Sequence, residues 1–360
     1  MTLSTPLSEK LGLSVPIIQA PMAGGPSSRE LVAACSAAGA LGSFGFAYTQ
    51  PEEMRKQAAW VRAQTDKPFG INLFTSAQPG PVDADRQRGA IEAVAGYYRE
   101  LGLPVPEAVK APYAPDLEAQ FDAVAEIQPK VATCHLSDFP PVRIRQFKDA
   151  GILVGGSANC VAEARHLESL GFDFVIAQGG EAGGHRGSYL RDPYDSLTGT
   201  LALVRMIVRA VKVPVVAAGG IMDGAGIAAV LALGAQLAQL GTAFLPCSES
   251  GASQVHKDLL VGATEDDTRI TEKFSGKPAR GLANRFIREM ENAPQLVFPA
   301  QNSITGKLRQ ASAKAGKPDF VALWAGQAAP LSRALPAREL IGILESEAVD
   351  AIQKLKGILQ

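Results

Sequence analysis

Ala177-Gln178-Gly179-Gly180-Glu181-Ala182-Gly183-Gly184-His185-Arg186-Gly187 is the stretch from which the rest of the chain can be read. The apolar run before it, Phe172-Asp173-Phe174-Val175-Ile176, has the length and composition of a short buried strand. Five glycines in eleven residues argue against both a helix and a regular strand, since glycine serves positive φ and close backbone approach. The loop also holds one of only four histidines in the chain. A strand that runs into a glycine loop with an embedded ionisable side chain is how a parallel barrel places a catalytic group at its mouth.

On the N-terminal side, Val15–Ala20 reads as a short apolar strand running into the non-helical loop Pro21–Pro26. Ser27 and Ser28 cap a helix over Glu30–Ala38. Gly39–Ser43 is a second strand, Pro51 opens a helix through Ala63, and Pro68–Phe74 is a third strand. Prolines 79, 81, 104, 106, 112 and 115 interrupt the next stretch, Thr75–Ala114, around a helical middle, Ala84–Leu101. This excursion reads either as a wall of the substrate pocket or as a packing decoration. Strands four and five are Val131–His135 and Ile152–Ser157, followed by a helix over Val161–Leu170. Beyond the glycine loop come a helix over Leu197–Val211, strand seven at Pro214–Gly220, a helix over Gly224–Leu233 and strand eight at Ala235–Thr242. Eight strands alternating with helices over about 240 residues is the size expected of a (β/α)8 TIM barrel. From Pro246 to Val321 the rhythm is replaced by helical stretches at Gln254–Leu260, Arg280–Glu291 and Ile304–Ala315. The expected organisation is therefore an α/β barrel domain over 1–245, a small helical insertion over 246–321 and a return to the barrel over 322–360 with a final helix, Pro336–Leu359.

Composition narrows the function. With 46% hydrophobic and 20% charged residues the chain has enough apolar surface for a large core. A formal net charge of -1 offers no basic excess for nucleic acid. The N-terminus has no basic region followed by an apolar core, and the most apolar stretch, Ala225–Leu245, is broken by glycines, Gln236 and Gln239. We therefore expect a cytoplasmic protein without a membrane partner. Cys35, Cys134, Cys160 and Cys247 form no CxxC pair and suggest neither disulfides nor zinc. The sequence is compatible with a monomer or a homodimer.

The ends of the last two strands, Ala218-Gly219-Gly220-Ile221 and Gln239-Leu240-Gly241-Thr242, fall where barrels of this kind build a phosphate site from backbone N–H groups. The structural alternative is a pair of tight turns that only close the barrel. Loop one, with Ala20, Pro21 and Met22, together with Asn72 and Gln178 at strand ends, offers rigid backbone and amides to a planar polar ring such as a flavin. His185 is the candidate catalytic residue, because an imidazole titrates near neutrality and can hold or remove a substrate proton. His135, at another strand end, is a candidate substrate contact, whereas His166 and His256 read as surface residues. No His/Cys/Asp cluster has metal-ligand spacing, and there is no G-x-S-x-G nucleophile elbow.

Taken together, Gln19–Gly24, Ala177–Gly187, Ala217–Ile221, Gln239–Thr242 and Phe274-Ser275-Gly276-Lys277-Pro278-Ala279-Arg280-Gly281 closely resemble the nitronate monooxygenases, formerly called 2-nitropropane dioxygenases. The resemblance spans Pro16–Leu344. It implies a metal-free, FMN-dependent barrel that oxidises alkyl nitronates, such as propionate 3-nitronate, with O2 to carbonyl compounds and nitrite. By position, Met22, Asn72, Gln178, Gly183, Gly220, Gln239, Gly241 and Thr242 would hold FMN, and His185 would orient a nitronate or deprotonate a nitroalkane. Thr133–Ser137 matches the family form only loosely, and Gln301–Ile304 lacks the tyrosines of some members, so substrate identity is less determined than flavin binding. The FMN-dependent enoyl-acyl-carrier-protein reductases share the Glu-Ala-Gly-Gly-His loop, and related barrels reduce quinones with NADH. Arg186 and the long Thr75–Pro115 excursion favour the monooxygenase. A non-flavin phosphate-binding barrel, with His185 structural, is a further alternative, as is a flavin-binding protein without catalysis.

Overall fold

The computed structural model describes residues 3–76, 80 and 82–358. Pro79 and Pro81 of the excursion, and Leu359 at the expected end of the last helix, lie outside the described residues. Among the described residues eleven strands are formed: β1 Ile17–Gln19, β2 Gly42–Gly45, β3 Phe69–Phe74, β4 Val131–His135, β5 Leu153–Ala158, β6 Phe174–Gln178, β7 Gly184–His185, β8 Val215–Ala218, β9 Leu237–Leu240, β10 Thr268–Thr271 and β11 Ala279–Leu282. Eight of them make a parallel sheet in the order β1-β9-β8-β6-β5-β4-β3-β2. A bridge between Ile18 and Leu41 brings its two edges together, so the sheet closes as the expected TIM barrel.

The barrel strands read as apolar runs because both faces are covered. Inward residues Ile18, Val131, Phe174, Ile176, Val216 and Leu237 pack with Leu7 and Leu11. Those two leucines belong to a helix absent from the sequence reading, Pro6–Leu11, capped by Thr5. It sits across the barrel bottom, where Thr5 and the Leu7 N–H bond to Gln236 just before β9. Helices Leu117–Ile127 and Pro141–Asp149 were also not anticipated. They complete the outer layer beside β4 and β5, with Phe121, Phe139 and Phe147 in mutual edge contact. The last helix, Ala337–Lys356, returns to the barrel beside the helices Gly224–Ala232 and Arg29–Ala37.

Several boundaries shift for local reasons. Strand six runs two residues later than expected because Phe172 still belongs to the helix-ending turn: its N–H bonds back to Leu167 and Gly171 is left-handed. The helix expected from Leu197 begins at Thr200, where the Glu181 carboxylate caps the Thr200 N–H. The insertion is not purely helical. Residues expected to start a helix at Arg280 instead form β11, which pairs with β10 on one side and with β7 of the glycine loop on the other. The helix is reduced to Arg285–Glu289, capped by the Asn284 side chain. Strand geometry wins at Ala279–Leu282 because both edges find antiparallel partners. The same pairing makes a two-residue strand of Gly184–His185, inside a loop that the glycines had argued against being a strand. The excursion helix Ala84–Glu100 shares one core with the insertion, through Tyr98, Phe274, Phe286, Ile304 and Phe320. No helix among the described residues is long and apolar enough to cross a membrane.

Candidate active site

The C-terminal ends of the barrel strands open into a cavity of about 240 Å³. Every residue expected at the site reaches it: Ala20, Pro21, Met22, Asn72, His135, Gln178, Gly183, His185, Gly219, Gly220, Gln239, Gly241 and Thr242 all line this space. The sequence reading missed Tyr48, Phe74, Ser275, Asn302, Arg309 and Trp324, which line it too. Phe74 ends β3, beside the Asn72 that the reading did single out; the others come from a loop, the insertion and the returning segment, where no strand-end position marks them. His256, expected on the surface, is buried and also lines the cavity. His166 is half-buried and pairs with Asp138 at 2.6 Å.

The glycine loop is held from behind by buried cations. Arg186 is fully buried and donates to the carbonyls of Gly179, Gln178 and Ser196. Arg280 donates twice to the Gly180 carbonyl. Charge-assisted bonds of this kind satisfy backbone carbonyls that a glycine turn leaves without a ladder partner. Arg186 is therefore a strut of the loop and does not line the cavity. Gln178 acts similarly. Its Nε2 donates to the His185 carbonyl at 3.1 Å, while its Oε1 accepts from Asn159 and from the Gly187 N–H. The Gln239 amide has no partner among the described residues and faces the cavity.

Two imidazoles sit in this frame in different roles. His135 Nε2 lies 3.1 Å from the His185 carbonyl. A carbonyl only accepts, so Nε2 carries the proton and Nδ1 accepts from the Ser157 hydroxyl at 2.9 Å. With both nitrogens engaged, His135 positions the His185 backbone. The residue after it, Leu136, is held at φ 76, a left-handed conformation that non-glycine residues rarely take. His185 Nε2 contacts the Ser275 hydroxyl at 2.9 Å, and that hydroxyl can donate a hydrogen bond to the Lys277 carbonyl at 3.1 Å. In that arrangement Nε2–H donates to Ser275 and Nδ1, which has no partner among the described residues, is a free base. If the serine hydroxyl turns toward Nε2, the proton sits on Nδ1 and the ring becomes a donor. Phe74, Trp324 and Phe298 surround the imidazole, at ring-centre distances of 5.4, 5.7 and 5.8 Å.

This aromatic cage keeps His185 neutral: burial first, then the neighbouring His135 and the cations Lys277 and Arg309, bring its pKa down to about 3. His135 falls to about 4, chiefly through burial.

A family model described as nitronate monooxygenase matches residues 5–347. The chain belongs to the nitronate monooxygenase family. A nitronate monooxygenase from Paraburkholderia phytofirmans is 41% identical over 352 residues, covering 96% of this chain and 95% of that one. Among solved structures, the nitroalkane oxidase from Streptomyces ansochromogenes superposes with a TM-score of 0.89 at 38% identity, covering 98% of this chain and all of that one. FabK from Thermotoga maritima superposes with a TM-score of 0.78 at 30% identity, covering 99% of this chain and all of that one. The family assignment makes this chain an oxidoreductase built on the barrel described above.

The buried histidines of this family member carry a pH signature. His256, like His135, is brought down to about 4 by burial. All three imidazoles therefore have folded pKa values below the unfolded value of 6.5. The unfolded chain binds protons that the native one refuses, so stability is full above about pH 6.5 and is lost as pH falls below it. Between pH 7 and 5, above the usual carboxylate range, each should withdraw on the order of 1–2 kcal/mol. Thermal melts across that window check this; a flat melting temperature would contradict the burial of neutral imidazoles.

Proposed function

We propose that the protein is an FMN-dependent nitronate monooxygenase that oxidises small alkyl nitronates, and more slowly nitroalkanes, with O2 to carbonyl compounds and nitrite. The observation that carries this reading is a neutral histidine with an open nitrogen, caged by aromatic rings at the mouth of a glycine-rimmed barrel. The donor set suits a flavin mononucleotide. Gly219 and Gly220 take φ of 106° and 72°, which turns backbone toward the cavity where side chains could not follow. A Cβ at Gly241 would meet nothing closer than Ala20 Cβ at 3.4 Å, leaving room beside Thr242 for a phosphate. Gln239, Asn72 and the loop Ala20–Met22 would meet the ring system, with Gly183 and Gln178 closing one side. Bound there, FMN would supply the one-electron chemistry that links a nitronate to O2.

The protein's own residues do the rest. With a neutral nitroalkane, His185 Nδ1 takes the α-proton while Nε2–H stays on Ser275. With a nitronate, already deprotonated, the Ser275 hydroxyl turns to Nε2 and Nδ1–H donates to the nitronate oxygen. Phe74 and Trp324 keep water from the reacting carbon. The four cysteines are all buried and unpaired, which suits a reducing cytoplasm.

The competing reading is the FMN-dependent enoyl-acyl-carrier-protein or quinone reductase, in which a reduced nicotinamide supplies the electrons. Purified enzyme, loaded with FMN, should take up O2 and release nitrite on addition of a nitronate, and should not be reduced quickly by NADH. Rapid bleaching by NADH with no nitrite from a nitronate would replace the proposal by the reductase.

A further inference from the structure

Thr200 stands outside the cavity, yet it bonds to the turn that rims it. It opens the helix Thr200–Ala210 and is buried behind the glycine loop. Its hydroxyl lies 2.8 Å from the Gly219 carbonyl and also contacts the Glu181 carboxylate. One proton between two acceptors makes a three-centre bond, an arrangement common at helix ends. The Glu181 carboxylate is fixed independently, by the Thr200 N–H at 2.7 Å. The fit is close, since a Cβ on Gly179 would collide with the Thr200 hydroxyl. Neither Thr200 nor Glu181 lines the cavity, whereas Gly219 and Gly220 both do.

The Gly219–Gly220 peptide is trans, and in a planar trans peptide the C=O and N–H point in opposite directions. Holding the Gly219 carbonyl on Thr200 therefore turns the Gly220 N–H away from the helix and toward the cavity. That N–H has no hydrogen-bond partner among the described residues. The turn has little stiffness of its own, because a peptide between two glycines can rotate at small steric cost. The direction of the free N–H is thus set by the hydroxyl behind it.

We propose that Thr200 is a positioning residue for the cofactor phosphate: its hydroxyl fixes the Gly219–Gly220 peptide with the Gly220 N–H aimed at a phosphate oxygen. This rests on the functional reading above, and adds a residue that never touches the ligand. Only the phosphate gains from the fixed N–H. The ring system and the ribityl chain do not, so the hydroxyl of Thr200 favours FMN over riboflavin. Thr200 takes no part in the proton transfer.

The test titrates the apo-protein with FMN and with riboflavin, which lacks only the phosphate, and follows the quenching of flavin fluorescence. Thr200→Val keeps the side-chain shape and the capping N–H but has no hydroxyl. It should raise the Kd for FMN by roughly 30-fold and leave that for riboflavin within about twofold. Thr200→Ser should return the FMN Kd to within about threefold of the wild type. An equal loss on both flavins, no loss on FMN, or no rescue by serine would overturn the positioning role. If Thr200→Val does not fold, hydrogen exchange in the wild type decides: FMN and inorganic phosphate should slow exchange of the Gly220 amide, riboflavin should not, and no selective protection overturns the proposal. Failure of the functional reading would look different, since the wild type would then bind neither flavin. Protection of the Gly220 amide by inorganic phosphate would still support the fixed turn in that case, and no protection would refute it.

Discussion

His185→Asn is expected to leave the fold and the cofactor in place and to lower turnover of a neutral nitroalkane by roughly 10²- to 10⁴-fold, the usual contribution of a general base. The selectivity of the effect follows from how the residue is held. Its backbone carbonyl, not its ring, accepts from His135 and Gln178, so the loop keeps both anchors when the side chain changes. Pairing of Gly184–His185 with Ala279–Arg280 also uses backbone alone. Asparagine fills part of the aromatic cage, but its amide has no lone pair basic enough to take a carbon-bound proton. The loss should be smaller with a pre-formed nitronate, which needs a donor and no base. Steady-state rates with both substrate forms, alongside the visible spectrum of the bound flavin, measure this. Unchanged turnover of the nitroalkane would remove His185 from the chemistry.

Gly241→Val should give a folded protein that no longer retains FMN. Backbone at Gly241 has φ -107, a conformation open to any residue. A Cβ there would meet only Ala20 Cβ at 3.4 Å and Met22 Sδ at 3.9 Å. The bare barrel therefore tolerates a side chain that points into the cavity, where two added methyls occupy the space proposed for the phosphate. We expect at least a 100-fold weaker FMN affinity, since both sterics and the lost backbone approach act on the most charged group of the ligand. Flavin absorbance after reconstitution reports the loss, and thermal melting of the apo form shows that the fold survives. Gly219→Val is the contrasting control. Gly219 sits at φ 106, with a Cβ position 3.0 Å from Ala182, so that change should cost the fold as well. Full FMN occupancy in Gly241→Val would move the phosphate away from the end of β9.

The repeat of apolar runs and helical stretches determined the barrel, because each strand buried on both faces must be apolar throughout and each crossover needs a helix. Strand-end position then carried the cofactor and catalytic candidates: Asn72, Gln178, Gly219, Gln239 and His185 reach one cavity because a parallel barrel delivers all its strand ends to the same face. Tertiary structure alone decided the rest. Ala279–Leu282 became a strand because β10 and β7 were both there to pair with it; no local propensity encodes a partner 94 residues away in the chain, as Ala279 and His185 are. His256 moved from the surface to the cavity because the insertion helix that carries it packs its face inward. Arg186, next to the catalytic candidate in the chain, points away from it into a nest of carbonyls. Tyr48 and Arg309 are 261 residues apart and share no motif. They line one cavity only because the insertion folds over the barrel mouth.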